Sequence, residues 1–522
     1  MIFRSPDPDP VIPPLSVPAY VMEHFGAAGD KPALIDGPSG RTLSYAQLGD
    51  GIRRMAVGLT KRGMNKGDVF AILLPNLPEY AIAFLGVAAA GGVVTTMNPL
   101  MTEAEIRHQL EDTGARWLLT ISALAERARA AARGTAAGEI FSLDPAPGTL
   151  PFASLLAEDG PMPEVAIGPA EDLLVLPYSS GTSGLPKGVM LTHRNVVAQL
   201  CQAGMLASPE GDECAIAVAP FFHILGMVLI LLIWLRRGAR VVALPRFELE
   251  LFLECIQKYR VNYASLVPPI VLALAKHPLV DKYDLSSLRW VSCGAAPLGG
   301  EIEQACAERL DRPVGQGWGM TEVSGAGCGS RMVEPVRIRR GANGLLWPGM
   351  EARIVDVATE ADLGPGETGE LLVRGPNVMK GYLNRPEANA ATLLADGWMR
   401  TGDIAMFDAD GYMTIVDRAK ELIKYNAYQV APAELEAVLV SHPAVAEAAV
   451  IPSPDEEHGE VPKAFVVLKD EASAEALMDY VAERVAAYKK VRKLVFVDAI
   501  PKSPAGKLLR RVLVEQDRAA AA

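Results

Sequence analysis

Between Val69 and Cys293 short apolar runs alternate with stretches of helical periodicity, and this alternation restricts the chain more than any other feature. Val69–Leu74, Val93–Met97 and Trp117–Thr120 read as strands, and Ala81–Ala90 and Thr102–Thr113 as the helices between them. Strands joined by helices of that length must run parallel, so the sheet needs cover on both faces. The pattern resumes with the glycine- and serine-rich loop Ser179–Gly188 and runs through Ala215–Val218, Arg240–Leu244, Tyr263–Val267 and Trp290–Cys293, which predicts a second α/β layer of the same kind beginning at that loop. Ahead of both, Pro32–Asp36 and Thr42–Tyr45 read as a hairpin feeding a helix from Ala46 to about Arg62. Ala123–Ala137 reads as a surface helix without chemistry.

From Ala352 the texture changes to short alternating strands punctuated by turn signals such as Gly364-Pro365-Gly366 and Asp408-Ala409-Asp410-Gly411, which predicts a β-rich subdomain. Beyond Asp417-Arg418 the chain reads as a small α+β unit ending in a basic loop, Pro501 to Lys507. The expected fold class is therefore α/β, with a β-rich subdomain and a small α+β unit toward the C-terminus. A chain of 522 residues is too long for one core, and roughly three domains or subdomains are expected.

Composition narrows the function classes. A formal charge of −12 without a clustered basic excess argues against a nucleic-acid surface. Six cysteines without a Cys-x-x-Cys pair oppose a zinc site or disulfide framework and suit a reducing, cytoplasmic setting. The N-terminus, rich in proline and aspartate, lacks the apolar core of a signal peptide. Two uncharged stretches fail as membrane spans: Ile224–Leu235 is too short, and Tyr80–Thr102 is broken by Gly91-Gly92 and Asn98-Pro99.

Chemistry concentrates where the two α/β sets meet. Ser179-Ser180-Gly181-Thr182-Ser183-Gly184-Leu185-Pro186-Lys187-Gly188 lies between the apolar runs Leu173–Leu176 and Val189–Leu191. Glycines let backbone N–H groups face an anion, hydroxyls add donors, and Lys187 adds a compact charge: a phosphate loop, though not with Walker spacing. Gln316-Gly317-Trp318-Gly319-Met320-Thr321-Glu322 sets an aromatic ring, a hydroxyl and a carboxylate in one glycine-rich turn, parts for stacking a base and holding Mg²⁺ near phosphates. Thr401-Gly402-Asp403 offers a carboxylate to two ribose hydroxyls, and Asp417-Arg418 adds a permanent cation.

These motifs, with Asp417-Arg418-Ala419-Lys420-Glu421-Leu422-Ile423-Lys424, resemble the adenylate-forming superfamily of acyl-CoA synthetases, aryl-CoA ligases, luciferases and peptide-synthetase adenylation domains. Within it the 4-coumarate-CoA ligase group is most similar, and the match runs from Pro32 to Arg511. The resemblance implies a large N-terminal domain over residues 1–419, a small mobile α+β domain over residues 420–522 with its hinge at Lys420, and two half-reactions. A carboxylate attacks the α-phosphorus of Mg-ATP, and a thiol, that of CoA, then displaces AMP after the small domain rotates. It implies that Lys507 bridges carboxylate and α-phosphate, that Glu322 binds Mg²⁺, and that Ser179, Ser180, Gly181, Thr182, Ser183 and Lys187 hold phosphates. Asp403 and Arg418 would hold the ribose, and Trp318 the adenine face beside Gln316, Gly317, Gly319 and Thr321. Lys424 and Gln429 would be brought in by the small domain, and His223 would stand at the carboxylate entrance. Expected partners are a small acid and CoA, with the protein a monomer or homodimer.

Departures from the family pattern keep alternatives open. Asn426-Ala427-Tyr428 stands where a lysine–glycine run usually borders the pantetheine tunnel, which leaves an amine acceptor conceivable, as in diazotases that couple nitrite to an aromatic amine. Leu225 and Leu229 make the acyl pocket more apolar than the pattern, and Ser324–Ser330 is rich in small residues. A nucleotide-binding scaffold without activity is the remaining reading; joint retention of Lys187, Glu322, Asp403, Arg418 and Lys507 opposes it.

Overall fold

The computed structural model describes all residues except 180–185, 207–211, 297, 332–335, 337, 419–420, 426–427, 456–458, 486–488, 503–507 and 522, with the backbone alone at 418, 424, 428–429, 459, 511 and 520–521. Among the described residues the strands assemble into four sheets. A nine-stranded sheet runs in the order Leu345–Leu346, Cys328–Gly329, Val314–Trp318, Trp290–Cys293, Tyr263–Leu266, Cys214–Ala217, Arg240–Ala243, Pro32–Asp36, Thr42–Ser44. Its six central strands are parallel, and antiparallel pairs close both ends. The eight-stranded sheet has Val69–Ile72 and Val93–Thr96 at its middle and ends in Leu173–Ser179, Lys187–Thr192 and Gly381–Tyr382 on one side.

One expectation is corrected. The strands flanking the phosphate loop belong to the first layer and do not begin the second, because Leu173–Ser179 pairs in parallel with Val93–Thr96. The hairpin Pro32–Ser44, which the sequence assigned to neither layer, joins the second through Arg240–Ala243. Pairing partners were decided by packing between layers, where local alternation carries no information.

Helices Tyr45–Lys61 and Glu79–Ala89 lie in the core between these sheets. Tyr80 through Ala89 are all buried, so this helix is apolar on every face, as an inner helix must be. A Cβ on Gly86 would come 2.4 Å from Met55 Cγ, so only glycine admits the close crossing of the two helices. Helix Glu103–Thr113 begins with a capping box between Thr102 and Glu105. The β-rich subdomain is a five-stranded antiparallel sheet that takes Phe3–Arg4 as an edge beside Glu351–Val355. Residues 423 onward form a fourth sheet around their own core, including Ile423, Val430, Leu435 and Val450. No helix among the described residues is long and apolar enough to cross a membrane.

Candidate active site

Strand Val314–Trp318 and the turn after it form a partition between two cavities. One, of about 410 Å³, runs past Ser179, His223, Leu225, Leu229, Trp234, Tyr263 and Glu322. The other, of about 580 Å³, opens between the large α/β body and the C-terminal unit, past Asp403, Asp417, Glu434 and Lys502. Gln316, Gly317, Trp318 and Gly319 line both. Glycine at 319 is obligatory, since a Cβ there would lie 1.7 Å from the Gly325 carbonyl oxygen.

The turn is held from behind by buried amides. Asn377 Nδ2 donates to the carbonyls of Val323 (2.8 Å) and Ala326 (3.1 Å), and Gln199 Oε1 accepts from Ala326 N–H at 3.1 Å. Ser324, at φ +57°, donates to the Asn377 carbonyl at 2.7 Å. Gln316 does not point its amide at the cleft. It donates to Glu303 Oε2 at 2.7 Å and to the Leu298 carbonyl at 3.1 Å, while burial pushes the Glu303 carboxyl up.

Glu322 is buried at the junction, and its Oε1 accepts from the Tyr382 hydroxyl at 2.9 Å. Lys187 Nζ stands 4.9 Å from the centre of the same ring. Tyr382 thus ties the carboxylate to the cation across the end of the first sheet. Ser179 pairs with Lys187 in the hairpin register, so the two ends of the phosphate loop sit side by side. The Ser179 hydroxyl is buried without a hydrogen-bond partner among the described residues. Trp318 donates its indole N–H to Asp403 Oδ2 at 2.8 Å, joining the residues expected at base and ribose. Asp403 lies opposite Arg418 in the antiparallel register of Met399–Phe407 and Met413–Arg418. His223 caps the helical stretch that starts at Ile224, its Nδ1 accepting from Leu225 N–H at 3.4 Å. Thr321 and Gly317 complete the wall.

Of the other candidates, Ser180, Gly181, Thr182, Ser183 and Lys507 lie outside the described residues, as do the side chains of Arg418, Lys424 and Gln429. Four supporting residues escaped the sequence reading: Tyr382, Asn377, Glu303 and Asn76. The last accepts from Phe221 N–H at 2.7 Å and donates to the Ala217 and Ala219 carbonyls, clamping the turn that presents His223. Each lies far in sequence from the group it supports, and none carries a local signal.

A carboxylate beside a phosphate loop fits Mg²⁺, which is usually held by one or two carboxylates plus substrate phosphates. Glu322 provides that carboxylate. Among the described residues no cluster of three or more His, Cys, Asp or Glu offers an all-protein metal cage.

Comparison with known proteins agrees with this geometry. The AMP-binding enzyme family profile matches residues 22–383 and that of the AMP-binding enzyme C-terminal domain matches residues 434–507. The chain is 44% identical to 4-coumarate–CoA ligase 1 of Petroselinum crispum over 98% of its length and 96% of that relative. It is 42% identical to 4-coumarate–CoA ligase of Pinus taeda over 98% of this chain and 97% of that one. Among solved structures, the anthranilate CoA ligase AuaEII in complex with anthranoyl-AMP superposes with a TM-score of 0.89 at 27% identity, covering 97% of this chain and 98% of that one. The amide bond synthetase McbA from Marinactinospora thermotolerans superposes at 0.85 and 28%, covering 96% and 99%. Motifs, cavities and relatives converge on one assignment: the chain belongs to the AMP-binding enzyme family.

Proposed function

We propose that this protein is an AMP-forming acid–CoA ligase, activating an aryl, cinnamate-like or acyl carboxylic acid with ATP and transferring it to CoA. The observation that carries the reading is the shared partition: an acid in the 410 Å³ cavity and a nucleotide in the 580 Å³ cleft meet at Gln316 to Gly319, which line both, with Glu322 just beyond on the acid side. Full-length similarity to 4-coumarate–CoA ligases favours CoA over an amine as acceptor.

In the first step a carboxylate oxygen of the acid bonds to the α-phosphorus, and the bond to the β-phosphate oxygen breaks, releasing pyrophosphate. Lys187 and the Ser179 hydroxyl hold the phosphates, and Lys507 bridges carboxylate and α-phosphate as charge spreads. Glu322, oriented by Tyr382, holds the magnesium ion, which when bound neutralises charge on the phosphate oxygens. Asp403, fixed by Trp318, takes the ribose with Arg418. In the second step the thiol sulfur bonds to the acyl carbon, its proton is lost, and the carbon–oxygen bond to AMP breaks. Lys424 and Gln429 enter with the small domain, residues 420–522, pivoting near Lys420. Six cysteines held as free thiols suit a reducing cytoplasm.

A panel of aryl and acyl acids with ATP and Mg²⁺, with and without CoA, tests the reading. Acid-dependent pyrophosphate release followed by a thioester is expected. A nitrite-and-arylamine arm that alone releases pyrophosphate, or an amide product in place of the thioester, would replace it.

A further inference from the structure

Tyr178 and Gly188 face each other across the antiparallel hairpin whose arms, Leu173–Ser179 and Lys187–Thr192, enter and leave the phosphate loop. The Tyr178 ring lies across its partner: a Cβ on residue 188 would stand 3.2 Å from two ring carbons and 3.3 Å from the hydroxyl oxygen, closer than side chains ordinarily pack. The hydroxyl ends on Asp112, donating to Oδ2 at 2.6 Å. Burial first, and then the Asp112 carboxylate, push the phenol up, so it stays a donor at any ordinary pH.

Asp112 also reaches the other arm. Its Oδ1 accepts from Arg385 Nη1 at 3.2 Å, and its backbone carbonyl accepts from Asn384 Nδ2 at 3.2 Å. Just before them in the chain, Leu383 N–H donates to the Gly188 carbonyl at 2.8 Å, and Tyr382 donates its hydroxyl to Glu322. Contacts thus close a circuit through Asp112, Tyr178, Gly188, Leu383 and Arg385. The helix that carries Asp112 is itself tied to the first sheet, since Gln109 Nε2 donates to Thr95 Oγ1 at 2.8 Å and to the Thr96 carbonyl at 2.9 Å. Asp112 is therefore a fixed post that holds both arms. Its side chain is 9% exposed against 32% for Arg385, and it lines neither of the two cavities. An ion pair that open to water adds little to stability, so stability does not account for a carboxylate in this place.

We propose that Asp112 is a positioning residue for the phosphate loop, acting through Tyr178 and Arg385 to set the loop's two ends, Ser179 and Lys187, at the separation that the phosphates of ATP need. The proposal rests on the acid-activating reading above and concerns the nucleotide of that site. A mouth held open in advance spares the ligand the cost of ordering the two arms. Without the carboxylate the Tyr178 hydroxyl loses its partner and the arms must be ordered by the phosphates themselves, while the nucleoside side of the site, at Trp318 and Asp403, keeps its own hydrogen bond.

Equilibrium titration of the full-length chain with Mg-ATP and with AMP, which keeps the nucleoside but only the first phosphate, tests the assignment. Asp112→Ala should weaken ATP by about tenfold and AMP by less than about threefold, a contrast that general loosening of the fold does not produce. Tyr178→Phe, which keeps the ring over Gly188 and deletes only the hydroxyl, should give the same contrast, and it decides the matter where the alanine variant fails to fold. The two changes combined should cost no more than either alone, about tenfold rather than the roughly hundredfold of independent sites. Native ATP affinity in the folded variants, equal losses for ATP and AMP, or losses that multiply in the combined variant overturn the proposal, and pyrophosphate release by the native protein then leaves acid activation standing. A native protein that binds no ATP overturns both.

Discussion

Behind the turn, at Val323 to Ala326, the links are neutral amides and hydroxyls, whereas the junction with the C-terminal unit is held by charge. There Arg510 pairs with Glu436 at 2.6 Å, with Glu421, and with Asp417 at 3.9 Å. Burial pulls the guanidinium pKa down, but Glu436, Asp417 and Glu421 carry it above its ordinary value. Asp417 also accepts from Ala433 N–H at 3.0 Å, and Glu436 from Val450 N–H at 2.8 Å. Many short neutral bonds from separate elements fix one geometry. Among the described residues one cation, Arg510, instead joins three carboxylates and bears on how residues 417, 421 and 436 stay together.

The largest expected effect follows from that dependence. Arg510→Met removes the cation that these three carboxylates share and should destabilise the C-terminal unit by about 3–5 kcal/mol. Hydrogen exchange over Val445–Leu468 should accelerate while the two large sheets stay protected; uniform protection would show that the charges do not hold the junction.

The amide-held side has its own weak point in acid. His193 opens the helix His193–Met205 that carries Gln199, and its Nδ1 accepts from Val17 N–H at 3.1 Å. Burial pushes its imidazole down to about 4. An unfolded chain takes up this proton near pH 6.5, so stability is whole above that value and lost as pH falls toward 4, on the order of 3 kcal/mol in all. Denaturant titrations at pH 7 and pH 4.5 should show this loss, and His193→Gln should flatten it. An unchanged pH dependence in the variant would assign the acid sensitivity elsewhere.

Gly319→Ala drives a methyl group into the Gly325 carbonyl and should cut pyrophosphate release by about a hundredfold, since displacements near 1 Å cost that much. Near-native turnover would mean that the turn yields. The smallest effect belongs to Tyr382→Phe, which keeps the ring beneath Lys187 and deletes one hydrogen bond to Glu322. A loss of about 1 kcal/mol, five- to tenfold in kcat, is expected, with Mg²⁺ requirement rising in step; a change in nucleotide affinity alone would place the hydroxyl outside metal positioning.

Much of this was legible beforehand because strands and helices announce themselves by period. Thr102–Thr113 read as a helix, and Glu103–Thr113 forms one, opened by a capping box between Thr102 and Glu105. Lateral order was not legible: nothing in Leu173–Ser179 says that it pairs with Val93–Thr96, and nothing in Pro32–Ser44 points to Arg240–Ala243. The glycine-rich turn was visible as chemistry, yet its supports at Asn377, Glu303 and Tyr382 were not. Each acts from a distance that only packing closes, and Gly381–Tyr382 is a strand of two residues without any pattern.

A partition one strand thick also constrains how such a catalyst can diversify. A change at Gln316, Gly317 or Trp318 that reshapes the 410 Å³ cavity is felt at once in the 580 Å³ cleft behind it. On the proposed reading, new acid preferences are more easily acquired on the opposite bank, at Leu225, Leu229 and Ile233, which line only the first of the two. A library randomised on that bank should yield altered acids at constant nucleotide KM, and one randomised on the strand should not.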